Sequence, residues 1–163
     1  MLYIAIFIIL VLIDQITKIL VITRFDEFET IPVIKNFFHI TYINNYGIAF
    51  GLFQGKLNII NIITIFVIIY LVYHVFKHKD TITKLEKYGF LLIASGAAGN
   101  IIDRVYRGFV IDMIDFRGIW QYIFNFADAW INIGVFLIII DQIFLSRNKN
   151  RKNKINEIKE NKR

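Results

Sequence analysis

The chain has 163 residues, 56% of them hydrophobic and 20% charged, with one proline, no cysteine and a formal net charge of +6. A soluble domain carries about 45–50% apolar and about 25% charged residues, so this composition excludes an ordinary soluble domain, and with it disorder, a disulfide scaffold, a cysteine metal site and a thiol nucleophile. Residues 147–163 hold eight Lys/Arg against two Glu while the rest of the chain holds eleven of each sign; such a neutral apolar body with a basic tail fits a membrane protein, and no nucleic-acid partner is expected.

A helix needs about 20 mostly apolar residues to cross the hydrocarbon layer. The first such segment is 2–22, interrupted by Asp14 and Lys18. It lacks a basic leader and a small-residue cleavage site, so it reads as a retained span and not as a cleaved signal. In the loop 23–56, Phe37 to Ile43 has the β-branched and aromatic richness of a strand and runs into a turn at Asn44-Asn45-Tyr46-Gly47. With Ile31-Pro32-Val33 before it and Ile48-Ala49-Phe50 after it, a small sheet is expected on the outer membrane face.

The second span is 57–76. The third, 88–102, is short and rich in small residues (Ala94 to Gly99) that let helices approach closely. The loop 103–126 mixes aromatics with charges, as an interfacial segment does. The fourth span is 127–145, with Asp128, Asn132 and Asp141 inside it.

Lys77, Lys79, Lys84 and Lys87 join the tail in giving one side of the membrane twelve basic residues against six on the other. Both termini are therefore expected in the cytoplasm and the loops 23–56 and 103–126 outside. The expected fold is an all-α membrane protein: a four-transmembrane-helix bundle with a small extracytoplasmic β-sheet and an interfacial outer loop. Residues 1–146 would form one integral membrane domain and 147–163 a basic cytoplasmic tail.

Ionisable residues at membrane depth cost about 2.5–3.5 kcal/mol each on insertion scales, so they mark function by default. Here Asn100, Asp103, Arg104, Asp112, Asn125 and Asp128 all fall at the outer ends of spans three and four or in the loop between them. Asn100, Asp103 and Arg104 share a helix face by spacing, Asp103 being read as the partner of Arg104 or Arg107. Asp14 and Lys18, four residues apart, can neutralise each other. Asn125 stands three residues before Asp128 at a helix entrance.

The inventory leaves few chemistries. Only Ser95 and Ser146 are serines, and His39, His74 and His78 show no metal-ligand spacing. No metal and no cofactor are expected. Two carboxylates at one partly dry site share a proton, so one serves as base and the other as acid toward a water attacking a peptide carbonyl. Asp112 and Asp128 are the best candidates, with Asp115 the competitor of Asp112. A small transporter or proton-coupled channel is the alternative, since carboxylates also serve as relays there; Asp14 and Asp141 favour it, whereas clustering at one face disfavours it.

The ordered motifs I-D-Q-x-T-K (13–18), N-x-G-x-A-F (45–50), G-A-x-G-N-x-x-D-R (96–104), V-x-D (110–112) and F-N-x-A-D (124–128) resemble those of the bacterial lipoprotein signal peptidase (signal peptidase II) family. The resemblance implies an aspartyl endopeptidase of the bacterial plasma membrane that cuts prolipoproteins before the diacylglyceryl-modified cysteine. It makes Asp112 and Asp128 the catalytic pair. Asn45, Gly47, Asn100, Arg104 and Asn125 then line the site or hold substrate, Asp14 and Lys18 support it, and Asp103 is a structural acid. Implied partners are diacylglyceryl-prolipoprotein substrates, membrane lipids and globomycin-type cyclic peptide inhibitors. Asn44 departs from the arginine common at its position, and Ile48 from the usual alanine.

Overall fold

The computed structural model describes residues 1–47 and 57–160, with Leu57 and residues 147–160 described by backbone alone. Four helices and three strands follow one another as α1 (Leu2–Ile22), β1 (Thr30–Ile34), β2 (Phe38–Asn45), α2 (Leu57–Lys77), α3 (Lys84–Tyr106), β3 (Val110–Phe116) and α4 (Phe126–Glu160). Three of the helices, α1, α2 and the first part of α4 through Ser146, are long and apolar enough to cross a membrane.

The helices are built inside out. On α1 the buried residues are Asp14, Lys18 and Val21, a stripe at i, i+4 and i+7. Ile4, Ile8, Ile9, Leu12 and Ile16 are exposed. That arrangement suits a helix whose outer face meets lipid and whose inner face meets the polar side chains of its neighbours.

Helix α3 is the centre of the bundle and packs against α1, α2 and α4. It is longer than the expected span 88–102. Thr83 caps it, its hydroxyl accepting from the Glu86 N–H at 3.0 Å, and it ends at Arg107 before Gly108, whose φ of +80° only glycine adopts readily. Along the α3–α4 seam the backbones are so close that a Cβ on Gly89 would lie 2.6 Å from Ile138 Cγ1 and 2.9 Å from the Gly134 carbonyl oxygen.

Strands β1, β2 and β3 form an antiparallel sheet in that order. The first two occupy the region expected to be extended, and they are joined by a hairpin whose Asn36 has φ +63°. The third strand comes from the loop 103–126, which was expected to be interfacial and irregular. Val110–Phe116 is instead buried along nearly its whole length, so it shows no apolar–polar alternation to betray a strand. The expected third strand at Ile48-Ala49-Phe50 lies outside the described residues. Tyr42, Ile111 and Met113 pack with Val21 of α1, which seats the sheet on the end of that helix. The backbone of α4 runs on past the expected boundary at 145 to Glu160, through a stretch without glycine or proline.

Candidate functional site

Asp112 is the third residue of β3 and pairs across the sheet with Ile43 of β2. Three residues further on, Asp115 points to the other face of the strand, because side chains alternate with period two. There it accepts from the Thr41 hydroxyl at 2.8 Å and the Arg117 Nε at 3.0 Å. A bridge between Ile114 and Phe124 draws the following residue, Asn125, against Asp112.

Asn125 is the N-cap of α4. Its side-chain oxygen accepts from the Asp128 N–H at 3.0 Å, and its own N–H donates to Asp128 Oδ2 at 3.4 Å. This is a capping box with aspartate at the third helical position. The same Asn125 donates from Nδ2 to Asp112 Oδ1 at 2.6 Å. One residue therefore holds both carboxyl groups, Asp112 through its side-chain NH₂ and Asp128 through its backbone N–H.

Two further asparagines complete the cradle. Asn45 donates from Nδ2 to Asp112 Oδ2 at 2.9 Å, while its oxygen accepts from the Gly47 N–H at 2.9 Å. Asn100 of α3 donates from Nδ2 to Asp128 Oδ1 at 2.8 Å, while its oxygen accepts from Lys18 Nζ at 3.0 Å. In each of the three amides the oxygen faces a group that can only donate: a backbone N–H or an ammonium. Amide orientation is thus decided by chemistry, and all three NH₂ groups point at the carboxyls.

Asp112 and Asp128 both line a cavity of about 720 Å³ with Asn45, Asn100, Arg104 and Thr64, beneath the segment Trp120 to Ile123. Asp112 is 4% exposed. Burial, and then the charge of Asp128, push its carboxyl up to about 7, against the lowering effect of the donors from Asn45 and Asn125. Arg104 reaches the Gly47 carbonyl with Nη2 at 3.3 Å; its buried Nε has no hydrogen-bond partner among the described residues.

Behind the cavity lies a second polar layer. Lys18, fully buried, is 2.8 Å from Asp14 Oδ2 and 2.8 Å from Asp103 Oδ2. Asp103 is also paired with Arg107 and accepts from the Ile111 N–H at 3.3 Å. Asp14 accepts from the Ala127 N–H at 2.9 Å. Gln15 joins the layer, donating to Asp14 Oδ2 and Asp103 Oδ1 at 3.1 and 3.2 Å.

Asp103 pairs with Arg107, one of the two partners expected of it, and also with Lys18. One expectation is corrected here: Asp103 does not share the cavity face with Asn100 and Arg104. Positions three and four residues on from Asn100 fall on either side of it around the helix, so Arg104 turns into the cavity and Asp103 toward α1. Gln15 was not singled out from sequence, although it lies within the motif at 13–18. In the sequence Trp120 and Tyr122 read as interfacial aromatics; in the fold they line the cavity together with Gln121 and Ile123. Of the motif at 45–50, positions 48–50 lie outside the described residues.

A family model described as Signal peptidase (SPase) II matches residues 6–144. The chain is 50% identical over 149 residues to a lipoprotein signal peptidase of Fusobacterium nucleatum, covering 91% of this chain and 90% of that one. It is 44% identical over 150 residues to a lipoprotein signal peptidase of Clostridioides difficile, covering 91% and 100%. Two solved structures of bacterial membrane enzymes, each at 39% sequence identity, superpose with TM-scores of 0.84 and 0.76. The first covers 90% of both chains; the second covers 86% of this chain and 91% of the other.

Proposed function

The chain belongs to the signal peptidase II family of membrane peptidases, and from that premise we propose that it is an aspartyl endopeptidase cutting diacylglyceryl-prolipoproteins before the lipidated cysteine. The observation that carries this reading is the convergence of Asp112 from β3 and Asp128 from α4 on one cavity, with Asn125 hydrogen-bonded to both. The transporter reading gains no support, because Asp14 is consumed by Lys18 and Ala127 behind that cavity.

Electroneutrality argues for one proton on the pair. Lys18, Arg104 and Arg107 bring three positive charges to the cluster, and Asp14 and Asp103 bring two negative ones. A singly ionised pair balances them; a doubly ionised pair does not. The ionised aspartate takes a proton from a water molecule as its oxygen attacks the scissile carbonyl carbon. The protonated aspartate gives its proton to the carbonyl oxygen. The tetrahedral diol then collapses: one hydroxyl returns its proton to the aspartate that protonated the carbonyl, the C–N bond breaks, and the nitrogen of the lipidated cysteine leaves with the proton returned by the aspartate that took it from water. Neither a metal nor a covalent intermediate is required.

The three asparagine amides donate to the carboxyls, so the shared proton is left to the cavity side where substrate binds. Arg104 keeps Nε for a substrate carbonyl. Globomycin-type cyclic peptides would occupy the same cavity and compete with substrate.

Residues 1–146 would act as the membrane domain, with four crossings that include α3, and 147–163 as a cytoplasmic tail. The exposed aliphatic faces would lie against membrane lipid, and the site at the outer face of the plasma membrane. Purified protein mixed with a diacylglyceryl-prolipoprotein in detergent is expected to release a peptide whose C-terminus immediately precedes the modified cysteine, read by mass spectrometry, and to do so equally in a chelator. No cleavage, or cleavage at another bond, contradicts the proposal.

A further inference from the structure

Lys18 and Asn100 form a relay that ends on only one of the two aspartates. The Lys18 ammonium, fully buried on α1, has its donors directed at Asp14, Asp103 and the Asn100 oxygen at 2.8, 2.8 and 3.0 Å. An ammonium cannot accept, so Asn100 is held with its NH₂ toward Asp128 Oδ1 at 2.8 Å. Among the described residues no ammonium-anchored amide reaches Asp112, whose two amide donors, Asn45 and Asn125, are each anchored by a neutral backbone N–H.

The helix adds to this asymmetry. Asp128 lies in the first turn of α4 and accepts from the Asn125 N–H, where the positive end of the helix dipole favours an anion. Asp112 sits on a strand, which has no comparable dipole. Arg104 acts on both carboxyls from the cavity wall, and Asp14, Asp103 and Arg107 stand behind Lys18 in a neutral set with it.

We propose that Asp128 carries the charge in the resting pair and Asp112 the proton, and that Lys18, acting through Asn100, is the positioning residue that places them so. Asp128 is then the base that activates water, and Asp112 the acid that protonates the scissile carbonyl. The proposal rests on the two-aspartate reading above and adds to it an assignment of roles and a residue outside the cavity that sets them.

The test is the pH profile of kcat on a diacylglyceryl-prolipoprotein. A pair that works with one proton gives a bell. Its acid limb reports the first ionisation and its basic limb the second. Removing the relay raises the ionisation of whichever aspartate it serves. Two variants remove it without leaving a buried charge alone: Asn100→Ala, which keeps the Lys18 ion pairs, and the double variant Asp14→Asn/Lys18→Met, which removes a neutral pair.

In both, the acid limb is expected to move up by about one pH unit, the size of one lost hydrogen bond to an ionised carboxyl, while the basic limb stays in place. Movement of the basic limb alone overturns the proposal, because it puts the resting charge on Asp112. A uniform fall in kcat with both limbs in place also overturns it, reducing the relay to a structural brace. Loss of the bell from the wild type, or full activity in Asp112→Asn or Asp128→Asn, strikes the two-aspartate reading itself and is distinguishable from either result.

Discussion

Asn125 is bound to more of the site than any other single amide: it caps α4, fixes Asp128 from both sides of its own backbone and side chain, and donates to Asp112. Asn125→Ala therefore removes a cap and a carboxyl partner together. The cap alone is worth about 1 kcal/mol of stability. Activity is expected to fall at least about tenfold, because misorienting a reacting group by a small distance costs more than its hydrogen bond; a thermal melt beside a cleavage assay separates the two effects. The pH dependence follows from Asp112. Its carboxyl is raised in the folded protein, so it holds a proton below about 7 and loses it above. A reaction that needs that proton declines as pH rises through about 7, toward tenfold per pH unit, and does not recover at higher pH. An activity plateau extending well into the alkaline range contradicts this.

At the scale of elements, the seam between α3 and α4 fixes how Asn100 meets Asp128. A Cβ on Gly134 would approach Ile93 Cγ1 to 2.8 Å, so Gly134→Val forces the helices apart. The expected cost is about 1–3 kcal/mol, as for other overpacked interiors, seen as a lowered melting temperature in detergent with activity lost in proportion to the unfolded fraction. The helices themselves were legible from sequence, because a run of apolar residues states its own length. Strand β3 was not. It is buried on both faces, so its alternation is hidden, and Asp112 and Asp115 look equivalent until the strand is known. On a helix, residues three apart share a face; on a strand they oppose each other. That single difference of geometry separates the cavity aspartate from the one tied to Thr41 and Arg117. Asp103 shows the same limit, since spacing placed it beside Asn100 and Arg104 but could not say which neighbour each would face.

For the whole molecule, polarity is inverted: buried charge at the centre, aliphatic side chains outside. Asp14, Lys18 and Asp103 are fully buried, while Ile4, Ile62, Phe66 and Phe136 are more than half exposed. The clustering of polar residues at one end of the bundle was visible in the sequence; the two-layer order within it, Lys18 behind Asn100 behind Asp128, depends on the packing of three helices and was not. Orientation in the membrane can be tested directly, because the chain contains no cysteine. Single substitutions Ser146→Cys and Phe28→Cys are expected to react with an impermeant thiol reagent from opposite sides, Phe28→Cys from outside intact cells and Ser146→Cys only after lysis. Labelling of both from outside refutes the proposed topology.

The central claim is that Asp112 and Asp128, and not Asp115, perform the cleavage. Its most direct measurement is the rate at which purified wild type, Asp112→Asn, Asp128→Asn and Asp115→Asn cut one diacylglyceryl-prolipoprotein. Each of the first two variants keeps the shape of the side chain while removing the titrating carboxyl, and each is expected to lose at least about a thousandfold in kcat, within the reach of a lost general acid or base. Asp115→Asn is expected to stay within about tenfold of wild type, since its carboxyl is spent on Thr41 and Arg117 on the far face of the strand. Substantial cleavage by Asp112→Asn or Asp128→Asn, or a loss in Asp115→Asn as deep as theirs, would contradict the account.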